Sequence, residues 1–283
     1  MKSAIITGVS TGIGRATCQF LLTENYTVFG SIRSAEDGEY LRNTLGEKFV
    51  PLLFDVTNRK EISSTVQTIR HHTNGQAVTA LINNAGIAVG GPLEYIEPHQ
   101  MHHQFKVNVM GVLNCIQIFL PLLKTEPGSL HQPGKIINIG SIAGQIASPF
   151  MGPYCASKHA LEGLTSSLRQ ELKVYGINVV LVGPGPTRSE IWNKIDHAKI
   201  EDSAETIYGK PMEKFQELIT GAVRTAYPST KIARLIHNII ENKWPRSRYY
   251  LTPNPITSWF IPRLLPERFL HYIVALILGL NRK

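Results

Sequence analysis

The stretch Ile5-Ile6-Thr7-Gly8-Val9-Ser10-Thr11-Gly12-Ile13-Gly14 decides the fold predicted for this chain. Its first two residues predict a short buried strand, and the residues from Arg15 to Leu22 predict a helix. A strand, a glycine turn and a helix N-terminus together suit a dinucleotide pyrophosphate, because free N–H groups of the first helical turn face the phosphates. The residues predicted to form this cradle are Gly8, Ser10, Thr11, Gly12, Ile13 and Gly14.

The three glycines have separate tasks in this prediction. Gly8 allows a tight turn, Gly12 lets the backbone approach a pyrophosphate, and Gly14 lets the helix pack closely on the strand. Their spacing, G-x-x-x-G-x-G, differs from the more common G-x-G-x-x-G. A plain strand–helix turn is therefore the alternative interpretation.

Strands and helices alternate along the rest of the chain, which implies a parallel sheet. We expect a Rossmann-type α/β fold, with a doubly wound seven-stranded parallel sheet and helices on both faces. Residues 1–252 would form this domain, and 253–283 an apolar, basic C-terminal extension. An insertion at about 188–228 is either a mobile lid or a plain surface insertion. Further strands are predicted at 26–32, 49–54, 78–82, 135–140, 178–182 and 248–251, and helices at 58–73, 98–123, 154–175 and 230–242.

Composition and charge exclude a nucleic-acid-binding core. The chain has 283 residues, 43% of them hydrophobic, and a formal net charge of +8. Residues 231–283 hold nine Lys or Arg and two acidic residues, so they supply +7 of that charge. The remaining body is nearly neutral, unlike a domain that binds nucleic acid.

Cysteine and histidine usage indicates a reduced, cytoplasmic protein that holds no metal. The three cysteines (18, 115 and 155) show no paired or metal-ligand spacing. The pairs His71-His72 and His102-His103 have no Cys or carboxylate at ligand spacing, so we expect exposed helix residues. A strand-like run begins at Ser3, which leaves no room for a signal peptide. The apolar run Phe269 to Leu280 is shorter than the roughly 20 residues that span a bilayer.

The residues that end the second and third strands bear on cofactor choice. An acid at position 33 would bind the ribose 2′-OH of NAD, whereas Arg33 suits a 2′-phosphate, so NADP(H) is preferred and NAD(H) is the second choice. Arg15 could assist, and a solvated Arg33 is the alternative. Asp55, followed by Val56, either meets an adenine amino group or caps the helix that starts near Asn58. Both roles for Asp55 stay open.

Two turns rich in small residues follow the fourth and sixth strands. Asn83-Asn84-Ala85-Gly86 follows the fourth strand, and its small side chains let a cofactor lie against the backbone. Asn83 can also tie neighbouring strands together. After the sixth strand, Gly183-Pro184-Gly185-Pro186-Thr187 turns sharply.

Tyr154-Cys155-Ala156-Ser157-Lys158 is the candidate catalytic stretch. On a helix, Tyr154 and Lys158 lie one turn apart. A nearby cation lowers the phenol pKa from about 10, so the hydroxyl can exchange a proton near neutral pH. Ser141, at the end of the fifth strand, could hold a substrate oxygen. Asn108 is either a satisfied core amide or a water-holding residue near Lys158.

These motifs, in this order, resemble those of the classical short-chain dehydrogenases/reductases over about residues 3–190, and more loosely beyond. The resemblance implies direct hydride transfer and a tetrad of Asn108, Ser141, Tyr154 and Lys158. Tyr154 would be the general acid/base and Ser141 would polarise the carbonyl. Lys158 would bind the nicotinamide ribose and lower the Tyr154 pKa, while Asn108 would hold a water. The resemblance also implies cofactor contacts from Asn84, Ala85, Gly86, Tyr154, Lys158, Pro184, Gly185, Thr187 and Ser189.

Later stretches resemble the steroid- and retinol-dehydrogenase-like branch of that family. They are Gln145-Ile146-Ala147 to Pro153, the 248–251 strand, and Leu264-Leu265-Pro266-Glu267-Arg268. This implies an NADP-dependent oxidoreductase that interconverts a hydrophobic ketone or aldehyde and its alcohol, such as a steroid, retinoid or lipid. The pocket would be lined by Ile87 to Pro92, Ile142 to Met151 and the lid. Gly183 departs from the family pattern, where a polar or acidic residue is common.

Three questions stay open at this point. A non-catalytic dinucleotide sensor or scaffold on the same fold is the alternative function. The resemblance suggests a homodimer or homotetramer that pairs through the 98–123 and 154–175 helices. The C-terminal extension could contact an anionic membrane surface through 257–283, cover the pocket, or form a subunit contact.

Overall fold

The structure, a computed structural model, describes residues 1–126, 128–129, 131–187 and 205–281. These residues contain a seven-stranded, fully parallel sheet with the strand order β3-β2-β1-β4-β5-β6-β7. The predicted Rossmann-type sheet is therefore confirmed. The strands are β1 Ser3–Ile6, β2 Thr27–Ile32, β3 Phe49–Leu53, β4 Ala80–Asn83, β5 Lys135–Ile139, β6 Val179–Pro184 and β7 Arg248–Leu251.

Helices connect successive strands, and two predicted helices are interrupted. The 58–73 helix breaks at Thr65, and the 98–123 helix contains a π-helical turn, Lys106–Met110. The helices are α1 Gly12–Thr23, α2 Ala35–Leu45, α3 Arg59–Ser64, α4 Val66–Thr73, α5 Pro98–Phe105, α6 Gly111–Leu123, α7 Gly152–Glu171, α8 Gly209–Arg224, α9 Ser229–Glu241, α10 Ile261–Leu264 and α11 Glu267–Leu278.

Apolar clusters cover both faces of the sheet, as parallel strands require. Alternate residues of one strand serve opposite faces: Ile5 joins one cluster, and Ile6 joins the other. The first cluster packs under α3, α4, α6 and α7, and the second under α1, α2 and α9. The stretch Pro98–Leu123 has a mean hydropathy of 1.5 and could span a membrane by length, but half of it is buried in this core.

The strand order creates a crevice between β1 and β4. The chain runs outward from β1 to β3 and then returns to β4 on the other side of β1. The connections that leave β1 and β4 therefore diverge at the carboxyl edge of the sheet, where α/β folds of this type bind ligands. The residues that follow these strands meet at this edge.

Close packing between α1 and β1 depends on Gly14. A Cβ atom at Gly14 would collide with the Gly8 carbonyl oxygen and the Asn84 amide nitrogen. We expect Gly14→Ala to lower the free energy of unfolding by about 1–3 kcal/mol, as overpacking of a tight contact does. Urea unfolding measures this change.

Gly221→Ala is the matched control for that substitution. Gly221 lies in α8, and nothing surrounds its Cβ position within 4 Å. Alanine there should be neutral or stabilise the helix by up to about 1 kcal/mol. Equal unfolding energies for the two variants would contradict the packing role of Gly14.

The described part of the predicted lid, 205–228, contains α8, whereas 188–204 lies outside the described residues. The C-terminal extension packs against this helix. Leu278 of α11 is buried in a cluster with Phe150 and Met212. At its other end, Trp259 stacks on Tyr250 of β7 with ring centroids 4.0 Å apart.

Candidate active site

A cleft opens at the carboxyl edge of the sheet, and we call it the carboxyl-edge cleft. Most of the predicted site residues line it, although they come from seven separate stretches of the chain. The predicted residues in its wall are Gly8, Ser10, Thr11, Gly12, Ile13, Arg33, Asp55, Val56, Asn84, Ala85, Gly86, Ser141, Tyr154, Lys158, Pro184, Gly185 and Thr187.

Two predicted site residues in the described part of the chain, Gly14 and Asn108, are not part of this wall. Gly14 lies behind it, where α1 packs on the β1 turn. Asn108 is buried behind the Tyr154 helix. Ser189 lies outside the described residues.

The turn after β1 is fixed by hydrogen bonds to the turn after β4. Thr7 Oγ1 accepts hydrogen bonds from the backbone N–H groups of Asn84 and Ala85, both at 2.9 Å. The Asn84 amide donates in return to the carbonyl oxygens of Thr7 and Gly8, also at 2.9 Å. Asn84 therefore holds the two turns together and also forms part of the cleft surface.

The N-terminus of α1 suits an anion. Thr11, which precedes the helix, makes no capping hydrogen bond, and the first turn contains no acidic side chain. Gly8 and Gly12 have φ angles of 72° and 61°, a conformation that favours glycine. The backbone N–H groups of this turn are thus available to phosphate oxygens, and the residues present fit the predicted dinucleotide.

Asp55 and Arg33 line the part of the cleft that lies beyond β2 and β3. The Asp55 carboxylate accepts a hydrogen bond from the Thr57 N–H at 2.8 Å. Burial raises the Asp55 pKa, but the Thr57 hydrogen bonds and the charges of Arg33 and His103 outweigh it, so the pKa lies below its usual value. The helix-cap alternative is wrong for Asp55, because Asn58 accepts the capping hydrogen bonds of α3.

Ser141 and Tyr154 meet at the inner end of the cleft. A hydrogen bond joins their side chains, and Ser141 Oγ also accepts one from the Ala143 N–H at 3.1 Å. Burial raises the pKa of Tyr154 to about 12, and the Ser141 hydrogen bond only partly opposes this effect. The predicted lowering of the Tyr154 pKa is therefore corrected, because desolvation disfavours the phenolate more than its neighbours stabilise it.

Lys158 is held one turn further along α7. Its Nζ donates to the Ile139 carbonyl oxygen at 2.8 Å and lies 5.7 Å from the centroid of the Tyr154 ring. Burial lowers the pKa of Lys158 to about 8, so the ammonium form still prevails at neutral pH. The backbone of β5 thus fixes the cation beside the phenol ring.

Asn108 is a satisfied core amide. Its Nδ2 donates to the Ile87 carbonyl oxygen at 3.0 Å and to Ser157 Oγ at 3.1 Å, and its Oδ1 accepts from the Ile87 N–H at 2.9 Å. It lies in the π-helical turn, where the regular hydrogen-bond ladder is interrupted. Through Ser157, it connects this turn to the Tyr154 helix.

Comparison with known proteins identifies the family. Residues 2–200 match the family model described as short chain dehydrogenase. The chain is 33% identical to the NADPH-dependent 3-dehydrocapnine reductase of Ornithobacterium rhinotracheale, over 96% of each chain. This chain is a short-chain dehydrogenase/reductase.

Two other comparisons agree with this assignment. Retinol dehydrogenase 16 of Mus musculus is 30% identical over 65% of this chain and 56% of its own length. The crystal structure of a short-chain dehydrogenase from Streptomyces avermitilis has a TM-score of 0.77, with 23% identity over 99% of both chains. The family-model match over residues 2–200 and the 33% identity to the 3-dehydrocapnine reductase confirm the predicted family, and with it an oxidoreductase with a nucleotide-binding Rossmann fold.

The unusual Gly183 of this dehydrogenase/reductase is explained by its neighbour Tyr250. A Cβ atom at Gly183 would lie 2.5 Å from the Tyr250 ring. The Tyr250 hydroxyl donates to Glu162 of α7 at 2.5 Å, and Arg248 donates to the same carboxylate at 3.1 Å. The aromatic ring of β7 therefore occupies the space that a side chain at position 183 would need.

Sequence reasoning missed two groups of site residues. Gln104 and Ser157 are buried with Asn108; Gln104 binds the backbone of Ile87 and Val89, and Ser157 donates to the Tyr154 carbonyl oxygen. The position of Gln104, four residues before Asn108 on one helix, was a signal that could have found it. His103 is exposed as expected but also lines the cleft near Asp55, and no sequence motif indicates this.

Proposed function

We propose that this dehydrogenase/reductase interconverts a hydrophobic ketone or aldehyde and its alcohol with NADP(H), with Tyr154 as general acid/base. The observation that carries the proposal is the meeting of Ser141, Tyr154 and Lys158 at one end of a cleft whose other end holds Arg33. A dinucleotide sensor would have no need of this buried hydroxyl pair. Residues 1–252 would supply the catalytic domain, and 253–283 an extension.

Arg33 supports NADP(H) as the preferred cofactor. Its guanidinium, at the end of the cleft opposite Tyr154, suits a 2′-phosphate. A relative that covers nearly the whole chain is named as NADPH-dependent. NAD(H) is the second cofactor, and a related 3-ketoacyl-(acyl-carrier-protein) reductase from Brucella melitensis was solved with NADH. When bound, the nicotinamide supplies or accepts the hydride.

The protonation states of the site favour reduction near neutral pH. Tyr154, with a pKa of about 12, is protonated and can donate its proton to a carbonyl oxygen that Ser141 also hydrogen-bonds. The charged Lys158 ammonium lies beside the phenol ring. It therefore stabilises the phenolate that is left after Tyr154 has donated its proton. The water-holding role of Asn108 stays a prediction. Its side-chain amide already donates hydrogen bonds to Ile87 and Ser157.

The surroundings of Tyr154 support a lipophilic substrate. Tyr154 packs in a small apolar cluster with Ala88, Met151 and Cys155, against Phe215 of α8. Ala88, Met151 and Phe215 come from the three stretches predicted to line the pocket. An alkyl group would be desolvated here, whereas a hydroxylated one would lose its hydrogen bonds to water.

A series of methyl ketones with growing alkyl chains tests this function. We expect kcat/KM for NADPH-dependent reduction to rise about fourfold per added methylene, since burying one contributes about 0.8 kcal/mol. The matched controls carry a terminal hydroxyl and should lose most of that gain. A flat series would contradict the lipophilic pocket. Stabilisation by NADPH without turnover of any ketone or alcohol would favour the sensor.

We also propose a homodimer or homotetramer that pairs through the helical stretches 98–123 and 154–175. Outward residues of these helices support this, because Met110 is half exposed and nothing surrounds Gly163 on its outer side. Light scattering after gel filtration should give two or four times the chain mass of 31.5 kDa. A single chain mass at micromolar concentration would contradict it. We place the protein in the cytoplasm.

A further inference from the structure

Exposed apolar side chains are concentrated in the C-terminal extension. Of the nineteen large apolar side chains that are exposed in the described part of the chain, eight fall within 256–277. Such a concentration marks a contact surface rather than ordinary surface variation. We call these eight the outer face: Ile256, Phe260, Ile261, Leu264, Phe269, Tyr272, Leu276 and Ile277.

Helical spacing gathers most of the outer face into stripes. Phe269, Tyr272 and Leu276 follow the i, i+3, i+7 pattern of one side of α11. In the preceding helical stretch, Ile256, Phe260 and Leu264 recur every fourth residue, and Leu264 is 82% exposed. The apolar side chains are therefore presented on the surface of helices rather than scattered along a coil.

The opposite side of the extension is firmly packed. Leu278 is buried against Phe150, a non-glycine residue with a φ angle of 63°, which such residues adopt only when packing enforces it. Trp259 stacks on Tyr250, whose hydroxyl binds Glu162, one turn beyond Lys158. Because both ends are anchored to the body, the outer face is held outward and is not a loosely placed tail.

Cations border the outer face. Arg263 lies 4.7 Å from the Trp259 ring, and Arg268 is exposed beside Phe269. The acid in this region, Glu267, lies 3.8 Å from His271, one turn along the same helix. Outside the described residues, the sequence continues with Arg282 and Lys283. A second copy of the chain would bring these positive charges together, whereas an anionic lipid surface complements them.

We propose that the outer face docks on an anionic bilayer surface. Apolar side chains would enter the interface between headgroups and acyl chains, while the arginines would meet lipid phosphates. The packed side of the extension touches Phe150, so docking would bring the stretch from Ile142 to Met151 and α8 close to the bilayer. The inference rests on the proposed function in one respect: a lipophilic substrate would then enter the active site from the membrane.

Vesicle co-sedimentation of the full chain tests the docking. The probes are vesicles of phosphatidylcholine alone and of an equal mixture with phosphatidylglycerol. We expect binding to the mixed vesicles that weakens with salt and little binding to the neutral ones. The triple variant Leu264→Ser, Phe269→Ser, Leu276→Ser should bind at least tenfold more weakly. The control Val174→Ser, at a side chain that is 78% exposed elsewhere, should bind like the original protein.

Several outcomes would overturn the docking. They are equal sedimentation with and without phosphatidylglycerol, an unchanged triple variant, or an equal loss in the control. A lipid-independent rise in molecular mass that the triple variant abolishes would instead assign the outer face to a second copy. Reduction of a short, water-soluble ketone is measured in parallel and should be the same in all variants. Its absence from the original protein would refute the proposed function without touching lipid binding.

Discussion

Tyr154→Phe is expected to lower kcat by about 10²–10⁴-fold, the usual contribution of a positioned general acid. The substitution removes only the hydroxyl. The ring would keep its contacts with Ala88, Met151 and Cys155, so the fold and the cofactor cleft should persist. We expect the Kd for NADPH, measured by quenching of tryptophan fluorescence, to stay close to that of the original protein. A large loss of kcat with intact cofactor binding is the signature of a lost proton donor.

Tyr175→Phe is the matched control, because it removes the same atom from a partly exposed residue outside the cleft. It should leave kcat unchanged. Ser141→Ala should cause a smaller loss than Tyr154→Phe, since the hydroxyl that binds the substrate oxygen goes but the acid remains. Turnover by Tyr154→Phe near the original rate would show that another group donates the proton.

Arg33→Asp is expected to reverse the cofactor preference. Charge-assisted hydrogen bonds contribute about 1.5–3 kcal/mol each, and because Arg33 is exposed we take the lower end, about tenfold in the Kd for NADPH. The new carboxylate would also repel a 2′-phosphate and accept a hydrogen bond from a 2′-hydroxyl. NADPH should therefore bind at least tenfold more weakly, while NADH binds as well as before or better.

Arg42→Asp separates local contact from the general field of the protein. Arg42 is an exposed residue of α2, so its substitution makes the same charge change without altering the cleft. It should weaken both cofactors only slightly, with a far smaller difference between NADPH and NADH than Arg33→Asp produces. If Arg33→Asp also weakened NADPH and NADH equally, Arg33 would not be reading the phosphate.

The sequence by itself determined the fold and the list of candidate site residues. Alternation of apolar strands and helices fixes a parallel sheet, and the glycine turn after β1 fixes where a helix N-terminus faces a ligand. These are local features, set by neighbours a few residues apart. The one-turn separation of Tyr154 and Lys158 is of the same kind, so it could be predicted before any tertiary contact was known.

Only the tertiary structure decided the electrostatics of the site. Spacing predicted that Lys158 would lower the Tyr154 pKa, but burial raises it, and burial depends on side chains from distant parts of the chain. Asn58, and not Asp55, caps α3, because its side chain accepts hydrogen bonds from the first helical turn. Both residue types are good caps, so the sequence alone could not decide between them. His103 reaches the cleft only through the tertiary packing that brings it near Asp55, two residues after the end of β3.

The packing of the C-terminal extension was likewise beyond the reach of sequence patterns. Glycine at position 183 departs from the family pattern, and only the structure explains it. The ring of Tyr250 occupies the space that a side chain there would need. The bond between Tyr250 and Glu162 joins residues 88 positions apart in the chain. Hydropathy shows that residues of the extension are apolar, but which of them face the body and which face outward is set by those long-range contacts, since one side must be buried before the other is defined.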